Sequence, residues 1–232
     1  MYYSGMVKFP LSPLPERLHE GLERLASLHR LEERQSAGPQ GLNPTQLAIL
    51  RLLSRRAPGF RVKSIARELG LRQPTVTDSL IALERKGFIT RQSDPEDGRA
   101  LLIHPTEPGR AALMAAQGQM PRMATALAAL SRKEQAALLH IMIKMIRALL
   151  QDQAMPAQRM CVTCRHFRPQ AAPGSTKPHY CEFVRAAFGS ADLQVDCGEH
   201  DAASPDHQAA TWRIFIGETP GSGQNQHEET IE

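Results

Sequence analysis

The sequence predicts a mainly α-helical protein: a winged helix-turn-helix with flanking dimerisation helices, plus a small Cys-rich, metal-stabilised module at the C-terminal end. Three observations lead there. Hydrophobic residues make up 41 % of the 232 residues but aromatics only 5 %, so the core is aliphatic and alanine-rich, which suits helices better than a β-sandwich. Apolar residues recur at three- and four-residue spacing along much of the chain. All four cysteines fall between Cys161 and Cys197.

The elements follow in order. Pro10, Pro13 and Pro15 punctuate the start, and Leu14, Leu18, Leu22, Leu25 and Leu28 then mark a helix with one apolar face. "SAGPQGL" ends it with Gly and Pro breakers. In "NPTQLAILRLLSRR", Asn43 caps the next helix, Pro44 suits its first turn, and Leu47, Leu50 and Leu53 line a face. "VKSIARELG" sets Val62, Ile65, Ala66 and Leu69 on one side and ends at Gly70, a left-handed C-cap. "LRQPTVTDSLIALERKG" then opens with Pro74 near its start, turns Val76, Leu80 and Leu83 inward, and closes at Gly87. Two short helices around a tight Gly-containing turn, the second with a polar start, describe a helix-turn-helix. "FITRQ" and "ALLIH" read as strands around the charged turn "SDPEDGR", which makes a hairpin and, in this position, a wing.

Two helices follow the wing. One runs from about Glu107 to Leu130, kinked or interrupted at Pro121. The other opens with Ser131 and Glu134 in capping-box spacing. Its apolar set, from Leu138 through Met142 and Met145 to Leu150, is too wide for one core face, so a helix from a second subunit is expected to cover the excess. The resulting division is 1–40 (dimerisation helix), 41–106 (winged helix), 107–155 (dimerisation helices), 156–216 (cysteine module) and 217–232 (a polar, Gly-rich tail expected to be disordered).

Charge separates the parts. The net charge is +4. Residues 42–110 hold twelve basic against seven acidic residues, whereas residues from 156 on hold six against ten. The positive field therefore belongs to the winged helix, as nucleic-acid binding requires. The start "MYYSGMVKFP" has no secretory pattern and no run of about 20 apolar residues occurs, so a cytoplasmic protein without a membrane partner is expected. No Ser/His/Asp order, phosphate loop or paired carboxylates stand out, and no enzyme is expected.

The stretch "QPTVTDSLIALERKGFITRQSDPEDGRALLIHPTEPG" resembles the MarR family of winged helix-turn-helix regulators, through the pattern TVTxxLxxLExxGxIxRxxxxxDxRxxxxxxTxxG. The likeness covers the first two-thirds of the chain, to about Gln153. It implies a homodimer on a pseudo-palindromic DNA operator, acting in transcription, with a small-molecule effector between the dimerisation and DNA-binding parts. Two details depart from the pattern: Gly98 stands at the wing tip where an arginine is common, and "IHPT" replaces an apolar-Leu-Thr ending. Residues after Pro156 are not part of it.

Candidate DNA contacts are Gln73, Thr75, Thr77, Asp78 and Ser79 for base edges and phosphates, Arg72 and Arg85 for phosphates, and Arg99 on the wing. Arg99 is also expected to pair with Asp94 or Asp97, with the acids shaping the hairpin. The bland alternative is a capped, solvated helix; the joint occurrence of helix-turn-helix and wing decides against it.

Cys161, Cys164, Cys181 and Cys197 are spaced C-x2-C-x16-C-x15-C. One CxxC knuckle with two further thiolates can hold Zn²⁺ or a [4Fe–4S] cluster, with zinc slightly ahead. His166, His179 and His200 lie nearby as substitute or supporting ligands, and Phe167, Tyr180, Phe183 and Phe188 as an apolar shell. So short and polar a segment has little core of its own, so bound metal is expected to supply much of its folding energy. The alternative is a thiol–disulfide redox protein in which Cys161 attacks and Cys164 resolves, but no βαβ context surrounds the pair.

Overall fold

The computed structural model describes residues 12–55, 59–117 and 121–218; the start of the chain with Pro10, and the tail from residue 219, lie outside the described residues. Helix α1 (Leu14–Ala37) carries the expected leucine stripe, yet none of the described residues covers it: Leu14, Leu18, Leu22 and Leu25 are between 47 and 59 % exposed. Its C-terminal end does pack. Ala37 is fully buried, and the Glu32 carboxylate accepts from the Arg122 N–H at 2.6 Å.

Helix α2 (Pro44–Ser54) begins in a capping box: Asn43 Oδ1 accepts from the Gln46 N–H at 2.8 Å, and Gln46 Oε1 from the Asn43 N–H at 3.3 Å. Helix α3 (Val62–Leu69) ends at Gly70 with φ +63°, and α4 (Gln73–Arg85) starts after a tight turn. Leu47, Leu50, Leu53, Ile65, Val76, Leu80 and Leu83 are almost completely buried together. This aliphatic core fixes the angle between α3 and α4.

Strand β1 (Ile89–Asp94) pairs antiparallel with β2 (Asp97–Pro105), from Ile89 opposite Pro105 to Asp94 opposite Asp97. The strands reach further toward the tip than the sequence suggests. The connection shrinks to Pro95 and Glu96, and Arg99 lies inside β2. Phe60 adds an isolated bridge to β2: its N–H donates to the Ile103 carbonyl at 3.3 Å, and its carbonyl accepts from the Ile103 N–H at 2.9 Å.

The "TEPG" stretch locks the wing to the next helix, α5 (Glu107–Gln117). The Thr106 hydroxyl donates to the Gly87 carbonyl at 2.6 Å and accepts from the Gly109 N–H at 3.2 Å. A Cβ at Gly109 would stand 2.0 Å from the Phe88 carbonyl oxygen, so only glycine lets these backbones touch. Gly109→Ala is expected to destabilise the winged helix by about 1–3 kcal/mol. A urea midpoint equal to that of the parent protein would contradict this.

Pro121 interrupts the following helix: α6 (Arg122–Ala128) starts directly after it. Helix α7 (Arg132–Gln151) is capped by Ser131, whose hydroxyl accepts from the Glu134 N–H while Glu134 Oε2 accepts from the Ser131 N–H at 2.8 Å.

The C-terminal module departs most from expectation. It holds a three-stranded antiparallel sheet of β3 (Phe167–Arg168), β4 (His179–Cys181) and β5 (Ala186–Phe188). It also holds a helix absent from the sequence reading, α8 (Pro205–Ile216), capped by Ser204 and closed by Gly217 at φ +79°. The module is not poor in core. Ile143 of α7, Met160, Val162, Phe167, Leu193 and Phe215 form a second buried cluster, with Leu139, Ile146, Leu150 and Trp212 packed on it. Part of the wide apolar face of α7 is therefore covered within the same chain. Ile141, Met142, Met145 and Leu149 remain 40–53 % exposed.

Candidate nucleic-acid interface and cysteine cavity

Helix α4 turns Arg72, Gln73, Thr75, Asp78 and Arg85 to solvent, opposite the buried Val76, Leu80 and Leu83. Thr77 is half-buried, and its hydroxyl donates to the Gln73 carbonyl at 3.0 Å. Ser79 corrects the expectation. It lies three residues after Val76 on the inward side, is buried, and donates to the Thr75 carbonyl at 2.9 Å. It braces the helix and does not reach a base edge.

Arg99 stands exposed on β2, and its backbone N–H donates to Asp97 Oδ1 at 3.2 Å. The guanidinium that meets Asp94 and Asp97 belongs instead to Arg61, at the start of α3: its Nε donates to Asp94 Oδ2 at 2.8 Å, and its Nη1 lies 3.5 Å from Asp97 Oδ2. Sequence spacing missed this pair because 33 residues separate its members. Arg61 thus ties the wing tip to the helix-turn-helix, and Arg99 remains exposed. The Arg91 Nε donates to Glu84 Oε2 at 2.9 Å and ties the wing base to α4.

The Glu96 amide, which donates to Asp94 Oδ1 at 2.9 Å, and the Arg61 guanidinium hold the Asp94 carboxyl below the usual carboxylate range. A carboxyl depressed in the folded state stabilises it above the unfolded value of about 4, and the contribution is lost as pH falls through the lowered value. Asp94→Asn should thus flatten the acid side of the stability profile while lowering stability at pH 7. Thermal melts across the acid range test this, and parallel profiles for the two proteins would refute it.

Residues 42–101 match the model of the MarR family. Over that stretch the chain is similar to a MarR-family winged helix. A helix-turn-helix transcriptional regulator of Bacillus subtilis strain 168, YkoM, itself uncharacterized, is 34 % identical over 100 residues, which are 39 % of this chain and 64 % of that protein. The chain thus spans less than two-thirds of the curated relative it matches. Among solved structures, a MarR family transcription regulator aligns with a TM-score of 0.52 at 22 % identity, over 60 % of this chain and 94 % of that one, a likeness of fold. The transcriptional repressor CouR, solved bound to a 23-mer DNA duplex, aligns with a TM-score of 0.50 at 28 % identity, over 60 % and 99 %. No helix among the described residues is long and apolar enough to cross a membrane.

Beyond the MarR-type winged helix, all four cysteines line one cavity of about 280 Å³. Cys161 and Cys164 flank a 3₁₀ turn just after α7, Cys181 ends β4, and Cys197 lies in the loop before α8. All four are free thiols. Phe167, Phe183, Val184 and Phe188 line the half-open cavity with apolar surface; Tyr180, expected in that shell, is not on the wall. His166 is, leaning on Phe183 with ring centroids 5.7 Å apart. The other histidines are elsewhere. His179 is buried among Phe167, Phe188 and Phe215, which pushes its pKa down, and His200 meets the Thr163 hydroxyl at 2.9 Å.

Burial pushes the Cys161 thiol up to about 11, against a hydrogen bond in which the Gln194 N–H donates to its sulfur at 3.3 Å. An attacking redox cysteine needs the reverse shift. The module's antiparallel sheet is likewise not a thioredoxin-like βαβ unit.

Module and winged helix touch. Asp196, next to Cys197, pairs with Arg55 at the end of α2. The Arg159 Nε donates to the Cys197 carbonyl at 2.8 Å. Pro156 lies against Gly70, where a Cβ would stand 3.2 Å from its ring.

Proposed function

We propose that the chain is a transcriptional regulator of the MarR type that binds a pseudo-palindromic DNA operator as a homodimer, with its affinity set by a metal or iron–sulfur group on the four cysteines. The observation that carries the reading is the exposed polar face of α4, with Arg72, Gln73, Thr75, Asp78 and Arg85, beside a wing strand bearing the exposed Arg99. A helix of this kind reads base edges in a major groove while a wing arginine meets phosphates or the minor groove. The uncovered stripes of α1 and α7 supply apolar area for a second copy. A small effector would fit the 330 Å³ cavity between α1, α5 and α6, lined in part by Glu32, Gln35, Ala116 and Arg122.

The route for control is the Cys197 loop. A change at that thiolate displaces Asp196, and with it Arg55 and α2, on which the recognition helix packs. The test is selection from random duplex DNA with metal-loaded and stripped protein. A palindromic site enriched by one form more than the other is expected. No enriched site with either form overturns the DNA reading; equal affinity of both forms overturns the control.

A further inference from the structure

We propose that the four-cysteine cavity holds an iron–sulfur cluster of the [4Fe–4S] type and not a single zinc ion. This deepens the control reading above and relies on it only for the consequence at DNA. The argument is geometric. Four thiolates on one zinc sit at about 2.3 Å from the metal and therefore about 4 Å from one another. Such a site leaves no space inside it. Among the described residues, no three Cys, His, Asp or Glu side chains close on one point in that way. The four thiols instead stand around a shared cavity of about 280 Å³. A cluster places its own irons and sulfides between the cysteines and would occupy a space that all four share.

The walls agree. Phe167, Phe183, Val184 and Phe188 line this half-open space with apolar surface, and Phe183 and Val184 stand more than half exposed at its mouth, so a bulky, poorly hydrated guest would cover apolar area now facing solvent. The Gln194 N–H already donates to Cys161 Sγ at 3.3 Å, the type of contact that tunes cluster sulfurs. The Arg159 guanidinium, held on the Cys197 and Gly198 carbonyls, sets a positive charge beside a site that four thiolates make negative.

Loading is a ligand exchange. A preformed cluster trades four carrier thiolates for the four cysteine thiolates. Each cysteine proton passes to a departing thiolate, and no electron moves. The ligand set is Cys161, Cys164, Cys181 and Cys197.

The test uses the full chain, stripped of metal and handled under nitrogen. It is mixed in one arm with a synthetic [4Fe–4S] cluster ligated by mercaptoethanol, in the other with zinc chloride, and in a third with both; each is then gel-filtered. The expected result is brown protein retaining about four irons and four sulfides per chain, also when zinc competes. Cys181→Ser and Cys197→Ser should each retain less than half the iron. Trp212, the only tryptophan, packs on Phe215 in the module core at 5.5 Å, so its fluorescence shows whether each variant is folded. Colourless protein holding about one zinc per chain in the mixed arm overturns the proposal. So does full iron retention by folded Cys181→Ser protein. Neither readout involves DNA: a cluster-bearing chain that selects no operator removes only the regulator reading, and a zinc-only chain that selects one removes only the cluster.

Discussion

DNA affinity is expected to fall about a thousandfold as salt rises from roughly 50 to 200 mM. Arg72, Arg85 and Arg99 are exposed on α4 and the wing, and the proposed dimer would bring six such arginines to one duplex. Each neutralised phosphate releases condensed counterions, so six contacts give a slope of about −5 for log affinity against log salt. Arg99→Ala should weaken binding to all sequences alike and make that slope shallower by about 2, one unit per subunit. Fluorescence anisotropy on a labelled operator measures both. An unchanged slope in the variant would remove Arg99 from the interface. Substituting Thr75 should do the opposite, changing which sequence is preferred while leaving the slope alone, because base-edge contacts carry no counterion term.

Replacing Ile143 by alanine should cost the C-terminal module about 2–5 kcal/mol and leave the winged helix intact. Ile143 is completely buried, and it reaches from α7 into a cluster with Met160, Phe167 and Phe215 that is separate from the cluster of Leu47, Ile65 and Leu80. Its loss removes transfer energy and leaves a cavity where the module is joined to α7. Hydrogen exchange should show faster opening in β3–β5 and α8, with α2–α4 unchanged. Uniform acceleration across the chain would mean that the two clusters melt as one unit.

Local chemistry made much of the fold legible. Asn43 with Gln46, Ser131 with Glu134, and Gly70 each state a helix end within a few residues, and the structure keeps each of those ends. The same locality explains the misses. Helix α8 depends on Trp212, Phe215 and Ile216 meeting residues of α7 and the cysteine loops, some of them more than 50 residues away, and no short window contains that information. Ser79 looks like its exposed neighbours by residue type, and only the packing of α4 decides its direction. The pairing of Asp94 went to Arg61 and not to the nearby Arg99 because the fold brings the start of α3 to the wing tip. For the cysteines, spacing singled out the four residues that line one cavity but not the shape of the space between them, which follows from how the module folds around it.

Helix α7 packs on the module with one side and leaves an apolar stripe exposed on another. Ile143 points into the module, while Met142, Met145 and Leu149 face outward. Adding a single residue ahead of Ile143 would turn everything beyond it by about 100°. The module, which follows Ile143 in the chain, and the outward stripe would then swing together relative to the winged helix and pull Asp196 away from Arg55. The length of α7 is therefore a phase setting, and natural variation in this chain is expected in the exposed stretch 170–177 between β3 and β4, where extra residues turn nothing.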